Sequence, residues 1–225
     1  MKKAFEIICA EALFEQPEKS LFFRKALGLR RYYENCSLPK YNGERLYPSG
    51  QVGTPSYLDG IAVGLRQLAA QNSELAEKVK NDFFRYSSSV PGEHTVAGSM
   101  YTHSIPNYER IIKEGFLSYI PRIENITDTD LKEGLLNLLS GIEIYIQRCV
   151  EYLEEVGAEE KLIAALKKVP MNPCENIYEA VVAWNFILYL DSFDNLGCLA
   201  SGLYPYYRGE DITELLKNLF DNLIL

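Results

Sequence analysis

Thiols and imidazoles are the side chains of this sequence best suited to chemistry, and they are few. Cysteines stand at positions 9, 36, 149, 174 and 198, and histidines at 94 and 103. A thiol becomes a useful nucleophile when a base or a cation activates it. Cys36 or Cys198 with a histidine would form such a pair, but no cysteine and histidine stand at a spacing that joins them locally. No C-x-x-C pair occurs, so no zinc site of the usual spacing is present and no metal ligand is assigned. P-loop, G-x-G-x-x-G, G-x-S-x-G and H-E-x-x-H patterns are absent. The carboxylates are spaced as on exposed helix faces, so no catalytic residue is assigned from the residues alone.

Two other clusters invite a binding role. Arg24, Lys25, Arg30 and Arg31 lie beside Tyr32 and Tyr33, a mixture that can hold a phosphate or a nucleic acid. The plainer reading is a solvated helix face over an aromatic core edge. The formal net charge of −8, from 23 basic and 31 acidic residues, favours the plainer one and argues against a nucleic-acid partner. The second cluster is Gly98, Ser99 and His103, small and polar residues of the kind that line a cavity. The start, MKKAFEIICAEALFEQPEK, is interrupted by Glu6 and Glu11 and is no signal peptide. With an odd, scattered cysteine set, that points to reduced thiols and a cytoplasmic protein. No apolar run is long enough to span a membrane.

The elements that must position these residues are helices. Ile177, Val181, Trp184 and Leu188 recur at steps of three and four, with Val182, Phe186 and Tyr189 widening the face. Glu179 is the one charge between Asn176 and Leu190, so this helix belongs inside. Asn176 is its N-cap and Glu179 closes a capping box. The spacing also predicts helices over 3–15 and 18–35, with Pro17 in the first turn of the second. Others follow over 56–86 and 104–120, the latter capped by Ser104 and containing Gly115. A long helix runs from Thr127 or Asp128 to Val156, with Gly157 as its cap, and a shorter one over 158–169. The last starts at Asp211 or Thr213. Residues 37–55 form a loop with a short strand near Glu44–Tyr47, and residues 87–103 form a second irregular region. The expected architecture is mostly α: a single multi-helix packed domain over 1–225. It comprises N-terminal helices to 36, a loop over 37–55, helices over 56–86, a loop over 87–103 and a helical region over 104–225.

Two ordered stretches of that last region carry a likeness. The first is THSIPNYERIIKEGFLSYI, with His103, Pro106, Tyr108 and Gly115. The second is VPMNPCENIYEAVVAWNFILYL followed by LYPYY. Its matching residues are Val169, Pro170, Pro173, Tyr178, Glu179, Ala180, Trp184, Phe186 and Tyr204 to Tyr207. The intervening helix is also similar, including Arg148 in a Gln-Arg-Cys turn. Together they resemble the N-terminal helical half of glycyl radical enzymes of the pyruvate formate-lyase type. The likeness covers about 100–207.

That resemblance implies anaerobic radical chemistry on a small organic substrate. The reaction would be that of a C–C lyase, of an acyltransferase such as formate C-acetyltransferase, or of a dehydratase. It implies a glycyl radical installed by a radical-S-adenosylmethionine activating enzyme. The family's Arg-Val-x-Gly-Tyr loop and catalytic cysteine loop are not in this sequence. Cys174-Glu175 precedes the Trp184 helix and does not stand at the catalytic place. Gly197 matches the family's Gly-Arg-x-Asp loop, while Cys198 and Ala200 replace its arginine and aspartate. His103 is the one substrate-pocket candidate that carries over. The expectation is a portion of such an enzyme, not catalytic alone, whose partners are the catalytic portion and an activating enzyme. The apolar last helix, ELLKNLFDNLIL, is expected to mark a cut through a longer protein or a face meant for a partner. The alternative is a helical binding or scaffold protein related to that family.

Overall fold

The computed structural model describes residues 5–49, 64–70, 74, 77, 78, 81, 105–191 and 195–224. No strand occurs among them. The labelled helices are α1 (Phe5–Glu15), α2 (Leu21–Asn35), α3 (Tyr108–Glu114), α4 (Ile120–Glu124), α5 (Thr129–Glu155), α6 (Glu160–Lys168), α7 (Ile177–Leu190), α8 (Leu199–Leu203) and α9 (Thr213–Ile224). Short 3-10 turns over Phe116–Tyr119 and Tyr204–Tyr206 join some of them. Residues 64–70 are helical, and Leu65 and Leu68 pack on Ala10 and Leu13 of α1. The remainder of the expected 56–86 helices and the 87–103 loop lie outside the described residues, apart from isolated positions.

Caps set the helix ends. The Ser20 side chain accepts from Phe23 N at 3.2 Å, so α2 begins after it and Pro17 falls in the preceding turn. Asp128 accepts from Leu131 N at 3.0 Å and starts α5. Val156 ends it and Gly157 follows with φ +70, the left-handed geometry expected of that glycine. Asn176 accepts from Glu179 N at 3.0 Å and starts α7. The Glu179 carboxylate reaches back one residue further than a capping box would, taking Glu175 N at 2.8 Å.

α7 is the interior element. Ala180 to Leu188 are buried without interruption, and Trp184 is 1% exposed. α2 lies along α5. Gly134 and Gly141, two turns apart on α5, make room for it: a methyl on Gly141 would meet Arg30 Cα at 3.0 Å. Apolar periodicity along α5 marks Leu135, Leu138, Leu139, Ile142, Ile146, Cys149 and Leu153, and the last three of these are buried as such a stripe expects. Leu135, Leu138 and Leu139 are half-buried, while Gly134, Gly141, Tyr145, Cys149 and Leu153 form the packed line.

The segment from Ser37 to Ser49 holds no strand. Its Leu46 and Tyr47 are fully buried, so its backbone needs internal partners. α9 supplies them: Asn218 Oδ1 takes Leu46 N at 2.9 Å, and Asn222 donates to Asn185 Oδ1 at 2.9 Å. Asn185 then donates to Pro48 O at 2.9 Å. Leu219 of α9 is fully buried beside these amides. Among the described residues no helix is long and apolar enough to cross a membrane.

Candidate functional site

The two sequence stretches meet in space at two joints. At the first, α3 stops at Gly115, which has φ +74. A side chain there would put its Cβ 2.4 Å from Met171 O and 2.7 Å from Asn172 Cα. The backbones therefore run in contact. Phe116 N donates to Pro170 O at 3.0 Å, Leu117 N to Met171 O at 3.1 Å and Cys174 N to Ile112 O at 2.8 Å. The expected uninterrupted helix over 104–120 is thus a short helix capped by Asn107, a glycine stop and a 3-10 turn. The glycine permits a close backbone approach, as its type suggested, but from a helix end.

At the second joint Tyr108 stacks on Trp184, with centroids 4.3 Å apart and planes 5° from parallel. Each ring also holds a carbonyl of the loop after α7. Trp184 Nε1 donates to Leu196 O at 3.0 Å, and the Tyr108 hydroxyl donates to Asn195 O at 2.6 Å. Both aromatic residues thus bury a large apolar body while their polar tips find partners. The loop lies flat on the rings because glycines face them. Gly197, at φ +67, would place a methyl 3.0 Å from the Tyr108 ring, and Gly202 would place one 2.1 Å from Trp184. The result is an aromatic clamp that fixes residues 195–203.

Cys198 is presented on this loop. It is exposed and stands at the start of α8. Hydrogen bonds from the Ser201 side chain and backbone hold its thiol below the ordinary value. The Ser201 hydroxyl donates to Glu109 Oε1 at 2.6 Å, tying α8 to α3. The other thiols are buried. Burial pushes Cys149 far up and Cys174 up to about 12, so neither is a nucleophile at neutral pH. Glu175, next to Cys174, is paired instead with Lys168 at 2.9 Å.

Arg148 has a structural task. Its guanidinium donates to the carbonyls of Tyr33 and Cys36, satisfying the C-terminal end of α2. Its Nη1 also lies 3.9 Å from Cys36 Sγ. Burial raises the Cys36 thiol against the opposing effect of that cation. In the basic stretch of α2 only Arg24 is turned inward. Arg24 is 7% exposed and donates to Leu13 O, while Arg30 and Arg31 both pair with Glu34. Arg24 thus departs from the solvated face expected of the cluster, while Lys25 is exposed as expected.

His103, the pocket candidate, and His94 lie outside the described residues. Ile105, two positions after His103, has its Cγ2 3.4 Å from where a Gly197 methyl would sit. The structure therefore brings together Tyr108, Trp184 and Gly197 at one joint and sets Gly115 against Met171 and Asn172 at the other. Sequence reasoning missed Glu109, Ser201 and Gly202. Only Gly202 left a signal, as a second glycine five residues after Gly197.

Beside the clamp runs an apolar groove of about 460 Å³. Ile177, Leu199, Leu203, Tyr204, Tyr207 and Phe220 are among its walls. The Tyr-Pro-Tyr-Tyr end is thus a groove wall, with Tyr204 75% exposed. The arrangement can hold a loop rigid and offer an apolar surface. Among the described residues no cluster of three or more metal-ligating side chains forms.

The fold has counterparts among solved structures. One is the glycerol-bound form of the B12-independent glycerol dehydratase from Clostridium butyricum. It aligns with a TM-score of 0.63 and 18% identity over 97% of this chain. Another comes from work on 1,2-propanediol dehydration in Roseburia inulinivorans, with a TM-score of 0.65 and 15% identity over 97% of this chain. Both are glycyl radical enzymes, and the mostly helical fold is that of part of them. This chain spans 36% of the length of each. No protein-family profile and no curated protein sequence matches it.

Proposed function

We propose that this chain is the helical portion of a glycyl radical enzyme acting on a small organic substrate, and that it is not catalytic by itself. The observation that carries this reading is the convergence of the two family-like stretches. Tyr108, Trp184 and Gly197 pack together across the fold, and Gly115 of the first stretch packs on Met171 and Asn172 of the second. The fold likeness to two dehydratases supports dehydration as the reaction class over C–C cleavage or acyl transfer. The sequence has no Arg-Val-x-Gly-Tyr loop. The radical glycine and the catalytic cysteine are therefore assigned to a further polypeptide portion, and the radical's installation to a radical-S-adenosylmethionine activating enzyme. In this reading the clamp holds the 195–203 loop in place, and His103 contributes to the substrate chamber.

The experiment is anaerobic affinity purification of the tagged protein from its native host. Mass spectrometry would look for an Arg-Val-x-Gly-Tyr sequence in the same or a co-purifying polypeptide. Electron paramagnetic resonance would look for a glycyl radical doublet. Both are expected, together with dehydration of a small diol that a His103→Ala variant slows. A protein purified without such a sequence, and a genome with no adjacent activating-enzyme gene, would leave the scaffold alternative in its place.

A further inference from the structure

The groove walled by α7, α8 and α9 shares Leu199 and Leu203 with the loop that the clamp fixes, and its composition is informative. Apart from the hydroxyls of Tyr204 and Tyr207, the named walls carry no side-chain polar group. Small-molecule sites combine apolar walls with a few converging polar groups that orient the ligand. A trough that is apolar and open suits side chains projecting from another polypeptide, as in recognition of an amphipathic helix. Phe220 and Tyr207 stand on it at 44% and 42% exposure.

Its surroundings are acidic. Glu210, Asp211 and Glu214 are exposed, and in the chain they alternate with the wall residues Tyr207, Ile212 and Leu216. Backbone N–H groups of Arg208 and Thr213 hold Glu210 and Asp211 below the ordinary carboxylate range, so both stay charged. The cations nearby are engaged. The Arg208 guanidinium donates to Pro205 O and Tyr207 O at 2.8 and 2.9 Å, and Lys217 pairs with Asp221 at 2.6 Å. Two copies of such a face would repel each other, which disfavours a second copy of this chain as the occupant. A partner is also what the fold comparison leads one to look for, since the aligned chains are almost three times as long.

We infer that this groove docks an apolar helical segment with lysine or arginine flanks, belonging to the polypeptide portion that completes the enzyme. The inference rests on the function proposed above but concerns a different surface from the radical chemistry. It can therefore fail while that function stands.

The test uses the full chain and two synthetic peptides of about 18 residues, each with leucine and phenylalanine at helical spacing. One has lysine flanks and the other glutamate flanks. Fluorescence anisotropy is expected to show the lysine-flanked peptide binding about tenfold more tightly, with the difference shrinking at high salt. Phe220→Asp is expected to weaken that binding about tenfold, as removal of a central apolar anchor does. If Phe220→Asp fails to fold, Ala200→Arg, at an exposed wall position, serves the same purpose. Equal binding of both peptides, or binding indifferent to these variants, overturns the inference. So does a wild-type homodimer in sedimentation that Phe220→Asp returns to monomer, because the occupant is then a second copy.

Discussion

The clamp around α3, α7 and the 195–203 loop differs in kind from the face where α2 lies along α5. In the clamp, backbone touches ring or backbone at single glycines, and the ring tips hold carbonyls. On the α2–α5 face, helix packs on helix through small residues, with ion pairs at the rim. Lys19 reaches Asp130 at 3.1 Å and Glu133 at 2.7 Å, and Arg30 reaches Glu34 at 2.8 Å. A packed helix face accepts many sequences that keep apolar periodicity and volume. A flat ring under a glycine accepts almost none.

The comparison can be broken by mutation. Trp184→Ala removes a fully enclosed ring and leaves Leu196 O without its donor. Urea unfolding followed by circular dichroism should show a loss of about 3–5 kcal/mol. Any smaller loss than that from a large-to-alanine change on the α2–α5 face would erase the distinction. Gly115→Ala and Gly134→Ala sharpen it. The first forces a positive φ on alanine and drives its methyl into Met171 O, so about 2–3 kcal/mol should be lost. The second meets mainly the ring of Phe22, which is 40% exposed and can swing aside. Alanine's helix preference offsets much of that strain, so the unfolding free energy should change by about 1 kcal/mol or less. Equal losses would mean that both regions are equally rigid.

Arg148→Met tests a buried-side polar tie of the α2–α5 face, from α5 to the carbonyls that end α2. Losing two carbonyl contacts at the end of α2 should destabilise by about 2 kcal/mol, and Arg148→Lys should not restore it, because one ammonium cannot span both acceptors in the guanidinium's fork. The smallest effect on the fold is expected from alkylating Cys198. Its lowered value means that thiolate appears at lower pH than in an ordinary cysteine. The alkylation rate should therefore climb with pH and reach its half-maximum below the usual thiol range, and Ser201→Ala should move it upward. Cys174, at about 12, should stay unreacted over the same range. Peptide mapping of the labelled protein reads both.

Much of the helical framework was legible because its signals are local. The cap at Asn176, the stop at Gly157 and the burial of α7 follow from residues within a few positions of each other. The missed features share a different cause. No pattern near Glu44–Tyr47 reveals that Asn218 and Asn185 supply partners for an irregular segment, where a short strand is expected from the sequence. On α5, apolar periodicity finds Ile146, Cys149 and Leu153 but passes over Gly134 and Gly141, because a glycine that admits a neighbouring helix adds nothing to that count. Gly115 was placed inside a helix for the same reason. Its stop is set by Met171 and Asn172, more than fifty residues away.

By itself, the sequence determined that this protein is helical, that the Trp184 segment is interior, and that two stretches carry the residues worth watching. Periodicity, capping and burial act along the chain and need no knowledge of the partner. The tertiary structure alone decided that those stretches stack on each other, that Arg148 closes the end of α2 and that an acidic-rimmed apolar groove lies beside Tyr204. Each of these depends on which distant atom fills the space over a glycine, a carbonyl or a ring.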